Sequence, residues 1–219
     1  MIRLDEPAPG LLVAQPKRGF KYGAEAFWLA GFALEGARPS ERTALDVGTG
    51  SGVIAALLAR RGLQATGIDV RGEWTELWER TLGANDKVGA LELLRADVRE
   101  FKGRGFDIVV SNPPYFPLDA GPASPDPWKR AARSEVHGSL KSVLTAALAC
   151  VAPEGRLCIV IPINRASVAR ELDAVVTRAV CVGKHRWLAE LQRRGEVTPE
   201  VHVGEESDRV RRWYALARA

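Results

Sequence analysis

Apolar and polar positions along the chain alternate between two rhythms. Short apolar runs that end on an acid or a small polar residue predict strands: Ala44-Leu45-Asp46, Leu63 to Asp69, Leu91 to Arg95 running on to Asp97, and Phe106 to Ser111. Longer apolar or capped stretches between them predict helices, over Ala26 to Leu34, from Val53, from about Glu73, and over Ser139 to Cys150. Further on, Gly155 to Pro162 predicts a fifth strand and residues 166–176 a helix. Ala179 to Gly183 and Arg212 to Ala217 predict the last two strands, with polar residues 196–208 between them as a loop or hairpin. Residues 1–14 mix Pro and Gly with Leu11-Leu12-Val13 and predict a strand or an arm on the main body. Strands alternating with helices point to an α/β fold built on a parallel sheet.

A length of 219 residues suits one α/β domain, here residues 37–219, preceded by an extension over residues 1–36 that packs over the ligand site. The net charge of +4 permits a polyanionic partner without requiring one, and a solvated basic surface fits equally well. Cys150, Cys158 and Cys181 have no metal-ligand spacing, so they read as small core residues in a reducing compartment, and no metal site is expected. No run approaches the roughly 18 apolar residues of a membrane span, and the first residues lack a signal-peptide core. The expectation is a cytoplasmic protein with no membrane partner; the oligomeric state is not legible.

The first strand turns into its helix through Gly48-Thr49-Gly50-Ser51-Gly52. Glycines admit a ligand close to the backbone, and helix-start amides favour electron-rich groups, so this turn suits a nucleotide-like molecule. The spacing is neither the dinucleotide fingerprint, whose third glycine would fall at Val53, nor a P-loop, since no Gly-Lys-Ser/Thr follows. Asp69 ends the second strand about twenty residues after Gly48, where a nucleotide-binding α/β unit places a carboxylate for both ribose hydroxyls. Val70 then faces the adenine. Each acid has a plainer use: Asp69 or Asp97 capping the helix or turn that follows.

Asp46 with the three alternate glycines resembles motif I of the class I S-adenosylmethionine-dependent methyltransferases. The resemblance implies a Rossmann-like, seven-stranded, mostly parallel sheet with one antiparallel strand and S-adenosyl-L-methionine as cofactor. It places Asp46 near the methionine end and Asp97 at the adenine amine, with Gly48, Gly50, Gly52 and Val98 also at the cofactor.

Asn112-Pro113-Pro114-Tyr115 follows the fourth strand, at the carboxyl edge where open α/β sheets bind ligands. Two prolines stiffen the loop and remove two amide donors. An exocyclic amine has its lone pair delocalised and is a poor nucleophile. If the Asn112 side-chain oxygen and the Pro113 carbonyl accept its two hydrogens, the nitrogen is steered toward tetrahedral geometry and its lone pair toward a sulfonium methyl. Tyr115, with Phe116 beside it, offers a ring for a base turned out of its helix, and Pro114 borders the same place. The tetrapeptide resembles motif IV of the amino-methyltransferase branch of the family. Substrates within that branch are adenine N6 in DNA, tRNA or rRNA, guanine N2 in rRNA, and a release-factor glutamine.

Two segments resemble the bacterial tRNA adenine-N6 methyltransferases. Tyr22-Gly23-Ala24-Glu25-Ala26-Phe27-Trp28-Leu29-Ala30 is similar to their Gly-x-Asp-x-x-Leu-Leu-Ala segment, with Glu25 in place of Asp, implying that Tyr22 and Glu25 help hold the cofactor. Arg133-Ser134-Glu135 is similar to their Ala-Arg-x-Glu. Only about forty residues precede motif I, too few for the helical domain typical of release-factor enzymes. A Pro-rich loop, residues 117–128, is expected to border the substrate entrance, and Lys129, Arg130 and Arg133 are either phosphate contacts or a solvated face. Lys17, Arg18 and Lys21, interleaved with Phe20 and Tyr22, carry the same two readings. His137 has no role in this chemistry. The expected partner is nucleic acid, foremost tRNA or other structured RNA. A non-catalytic nucleic-acid-binding module is the remote alternative.

Overall fold

The computed structural model describes residues 2–17, 21–85, 89–114 and 138–219. The chain opens with an antiparallel hairpin, β1 (Ile2–Ala8) and β2 (Leu11–Pro16), and continues into α1 (Ala24–Glu35). Strands and helices then alternate through β3 (Thr43–Val47), α2 (Val53–Arg60), β4 (Gln64–Asp69), α3 (Thr75–Gly83), β5 (Leu91–Arg95) and β6 (Phe106–Ser111). From residue 138 onward come α4 (Leu140–Cys150), β7 (Val151–Pro162), α5 (Ala166–Arg170), β8 (Val175–Val182), β9 (Arg186–Gln192), β10 (Val201–Val203) and α6 (Asp208–Arg218).

Eight strands of the described residues form one sheet in the order β10-β8-β9-β7-β6-β3-β4-β5. Only β9 runs against its neighbours, antiparallel to both β7 and β8. The mostly parallel sheet with one antiparallel member is as expected, and the three-residue β10 at the edge raises the count from seven to eight. Strand order reverses at β3: the chain moves outward through β4 and β5, then returns to β6 on the other side of β3. That reversal opens a crevice at the carboxyl ends of β3 and β6, the place where doubly wound sheets bind ligands.

Alternate residues of each strand feed two cores. Ala44, Ile108 and Val110 face α1, α2, α3 and α6; Leu45, Val47 and Val109 face α4 and α5. This period of two, with both faces covered, is why the central strands read as continuous apolar runs. All three cysteines are free and buried. Among the described residues no helix is long and apolar enough to cross a membrane.

Three sequence expectations change. Arg212 to Ala217 lies within α6 and is not a strand: the Ser207 hydroxyl accepts from the Val210 amide, Asp208 sits in the first turn, and Val210, Trp213 and Ala217 recur on one buried face. The helix expected over 166–176 stops at Arg170, and its last residues already belong to β8. Strand β9 escaped notice because its buried Glu190 breaks an apolar pattern; Arg156 and Arg178 neutralise that carboxylate at 3.2 Å and 2.9 Å. Arg156 is itself buried and also grips Glu41 and the Ala33 carbonyl.

The N-terminal stretch divides in two. The Leu12 and Ala14 amides of β2 donate to Asn85 Oδ1 and Thr81 Oγ1, docking the hairpin on the end of α3. Helix α1 instead joins the core and closes on α6, with Gly31 so near that a Cβ would lie 2.3 Å from the Trp213 carbonyl oxygen.

Candidate active site

The turn after β3 is built on three glycines with positive φ, Gly48 at 73°, Gly50 at 56° and Gly52 at 85°, a backbone region that side chains disfavour. Four of its amides are already committed. Gly48 and Thr49 both donate to the Ile68 carbonyl, Gly50 donates to Asp69 Oδ2 at 3.0 Å, and Gly52 donates to the Thr49 carbonyl. Those of Gly48, Thr49 and Gly50 fasten the turn to β4, and that of Gly52, the helix-start amide expected to favour a ligand, closes the turn on itself. What the glycines offer is close approach, since a Cβ on Gly48 would meet no protein atom within 4 Å. Trp78 supports the turn from below by donating to the Gly50 carbonyl at 2.7 Å, and the Trp74 ring lies under Gly50. Both tryptophans prop the site without lining it.

Above the turn lies a cavity that opens to solvent. Gly48, Gly50, Asp69, Val70, Asp97 and Val98 line it together, and Asn112 and Pro114 close it from the β6 side. Tyr22 and Ala26 form the wall contributed by the N-terminal stretch, and no residue of the β1–β2 hairpin lines it. Burial, with Asp5 next and Arg3 opposing, pushes the Tyr22 hydroxyl up to about 12, so it stays protonated.

Four of the residues expected here lie elsewhere. Asp46 sits beneath the turn and lines nothing: its Oδ2 accepts from Thr49 Oγ1 at 2.6 Å and the Ala55 amide at 3.2 Å, stapling the turn to α2. Its Oδ1 is buried with no hydrogen-bond partner. Burial, opposed by Thr49 and Ala55 and assisted by Asp69, pushes this carboxyl up to about 7. Gly52 packs on Leu93, and Pro113 is buried behind Asn112. Glu25 turns to Arg186, 3.0 Å away, and does not border the cavity. Tyr115, Phe116, Lys129, Arg130 and Arg133, with His137 and the loop 117–128, lie outside the described residues.

The two strand-end acids share a device that sequence reading missed, the tripeptide Asp-Val-Arg repeated at 69–71 and 97–99. Asp69 accepts the Arg71 amide and Nε on Oδ1, and Gly50 and Arg71 Nη2 on Oδ2, so all four of its acceptor positions are filled. Arg71 lies over Trp74 with its Nη1 buried and without a hydrogen-bond partner. Asp97 holds Arg99 in the same way and accepts the Arg99 amide, so its turn-capping use is real alongside its place in the cavity.

Comparison with solved structures decides the fold. The ribosomal protein L11 methylase of Lactobacillus delbrueckii subsp. bulgaricus superposes with a TM-score of 0.60 at 16% identity, covering 87% of this chain and 99% of that one. The fold is that of the class I methyltransferases. The Pyrococcus abyssi tRNA (uracil-54, C5)-methyltransferase, solved with S-adenosyl-L-homocysteine, superposes on the same methyltransferase fold with a TM-score of 0.59 at 21% identity, over 87% of this chain and 44% of that one. Residues 30–123 match the family described as methyltransferase small domain, a span running from α1 past the Asn-Pro-Pro-Tyr segment. The chain also resembles the tRNA1(Val) (adenine(37)-N6)-methyltransferase of Tolumonas auensis, at 31% identity over 123 residues, 55% of this chain and 51% of that protein. It thus spans about half the length of that relative.

Proposed function

We propose that this chain is an S-adenosylmethionine-dependent N-methyltransferase that modifies the N6 amine of an adenine in tRNA. What supports the reading most is that Asn112, at the carboxyl end of β6, borders the same cavity as the paired acids Asp69 and Asp97 and the glycine turn. The donor set fits a nucleoside with a diol and an exocyclic amine: carboxylates at the ends of β4 and β5, Val70 and Val98 beside them, and glycines that leave space for a close ligand. When bound, the cofactor supplies an electrophilic sulfonium methyl group.

The chain's own residues do the rest. Asp69 takes a ribose diol only after the Arg71 side chain lets go of it, because every acceptor position is otherwise filled. Asp97 accepts from the adenine amine, and Tyr22 and Ala26 close the side facing α1. Asn112 accepts a hydrogen of the target amine, which helps to localise the nitrogen lone pair. As the nitrogen gains positive charge this acceptor stabilises it, so no strongly basic side chain is needed. Tyr115 and Phe116 hold the flipped base, and Lys129, Arg130 and Arg133 meet phosphates. A cytoplasmic setting accords with three cysteines that are all free.

The deciding experiment incubates the protein with labelled cofactor and, separately, bulk tRNA, rRNA and release factor, followed by nucleoside mass spectrometry. Label appearing as N6-methyladenosine in tRNA is the expected result; label in guanosine or in the release factor would replace the substrate. Asn112→Ala is expected to lower turnover by about two orders of magnitude or more while leaving cofactor affinity unchanged, since the side-chain amide that it removes serves the reacting amine. Equal turnover in that variant would refute the role of Asn112.

A further inference from the structure

Far from the cavity, at the sheet edge added by β10, three ligand-type side chains converge. The parallel β10–β8 pairing sets His202 opposite Cys181, and registered residues of neighbouring strands point to the same face of a sheet. Glu200, just before β10, completes the group. Trp187 Nε1 and Arg170 Nη2 hold its Oε2 at 2.7 Å and 2.8 Å. Its Oε1 is left 3.0 Å from Cys181 Sγ and 3.6 Å from His202 Nε2, and the three donor atoms all lie within 4.8 Å of one another.

We propose that Cys181, Glu200 and His202 bind a zinc ion that fastens β10 to the sheet. A tetrahedral zinc, with bonds of about 2.3 Å to sulfur and 2.0 Å to nitrogen or oxygen, needs its ligand atoms about 3.3–3.5 Å apart. The separations of Glu200 from Cys181 and His202, 3.0 Å and 3.6 Å, bracket that value and the third lies within 4.8 Å, so modest side-chain rotations seat the ion. A thiolate, an imidazole and a carboxylate are a donor set that favours zinc over magnesium or calcium, and water takes the fourth position. On binding, the zinc–sulfur bond replaces the Cys181 sulfur–hydrogen bond, and that proton passes to solvent. Trp187 and Arg170 act on the far oxygen of Glu200, as outer partners of metal-binding carboxylates do, and Arg170 is steadied over the Trp187 ring.

The fold gives β10 a need for such a clip. It is three residues long and largely exposed, so it buries little apolar surface of its own. The sequence conceals the site because Cys181 and Glu200 are nineteen positions apart and only the parallel pairing joins them.

The metal-stripped protein is titrated with zinc against a chromogenic chelator, and with cobalt while the thiolate-to-cobalt absorption band is followed. One equivalent with a thiolate band is expected. Cys181→Ser should abolish the band, and His202→Ala should weaken zinc binding by about tenfold or more, since loss of an outer partner alone costs about that much. His202 has 68% of its side chain exposed, so its variant tests the site without threatening the fold. Cys150→Ser and His185→Ala should bind as the parent does. Absence of stoichiometric binding, or full affinity in both Cys181→Ser and His202→Ala, would overturn the site. None of these readouts depends on cofactor or methyl transfer.

Discussion

The tripeptides Asp69-Val70-Arg71 and Asp97-Val98-Arg99 stand side by side at the ends of β4 and β5, with the same pairing of an acid to the arginine two residues on. Their surroundings differ. In the first pair the arginine and aspartate side chains are 9% and 5% exposed; in the second they are 45% and 18% exposed. One set of hydrogen bonds therefore has two different energetic meanings. In the buried pair a lost partner leaves a charge with little access to water, whereas in the open pair water replaces the partner at little cost. A third carboxylate, Asp46, lies below the same turn with no arginine at all and responds by holding its proton.

The largest effect is expected at Asp46. Its folded-state value of about 7 lies above the ordinary 3.8, so its stabilising contribution is complete below about pH 4 and disappears as the pH rises through about 7. A rise from 3.8 to about 7 corresponds to about 4 kcal/mol as an order of magnitude. Urea unfolding across that window should give a falling stability, and Asp46→Asn should flatten the slope. An identical slope in the variant would place the titration elsewhere.

Next comes Arg71→Ala, expected to cost about 3 kcal/mol, near the low end for breaking a buried pair because Asp69 keeps the Gly50 and Arg71 amides. For a chain of this size that is a fall of about 6–12 °C in Tm. The smallest effect belongs to Arg99→Ala, between about 0 and 1 kcal/mol. If the two arginine variants melt together, burial is not what separates the pairs.

Much of the architecture was legible because it is written in local chemistry. The glycine turn needs positive φ, the central strands carry uninterrupted apolar runs, and Asn112-Pro113-Pro114 follows β6 directly, so these elements stand where expected. What escaped depends on partners distant in sequence. Glu190 makes β9 look polar until Arg156 and Arg178 are seen beside it, and the aromatic pair Trp213-Tyr214 mimics a strand although Ser207 caps a helix that Asp208 begins. In the site, the lining by Asp69, Asp97 and Asn112 followed from strand ends, but the commitment of the turn's amides to Ile68 and Asp69 did not, since it depends on how β3 and β4 are aligned. The displacement of Asp46 from wall to foundation has the same origin: Thr49 and Ala55 draw it under the turn.

The close approach of Gly31 to Trp213 has a mechanical corollary. Helix α6 touches none of the cavity, yet it backs α1, which carries Ala26 and follows directly on Tyr22. The last turns of the polypeptide thus brace one wall of the ligand chamber from behind. Loosening them would widen the chamber without altering any residue that faces into it.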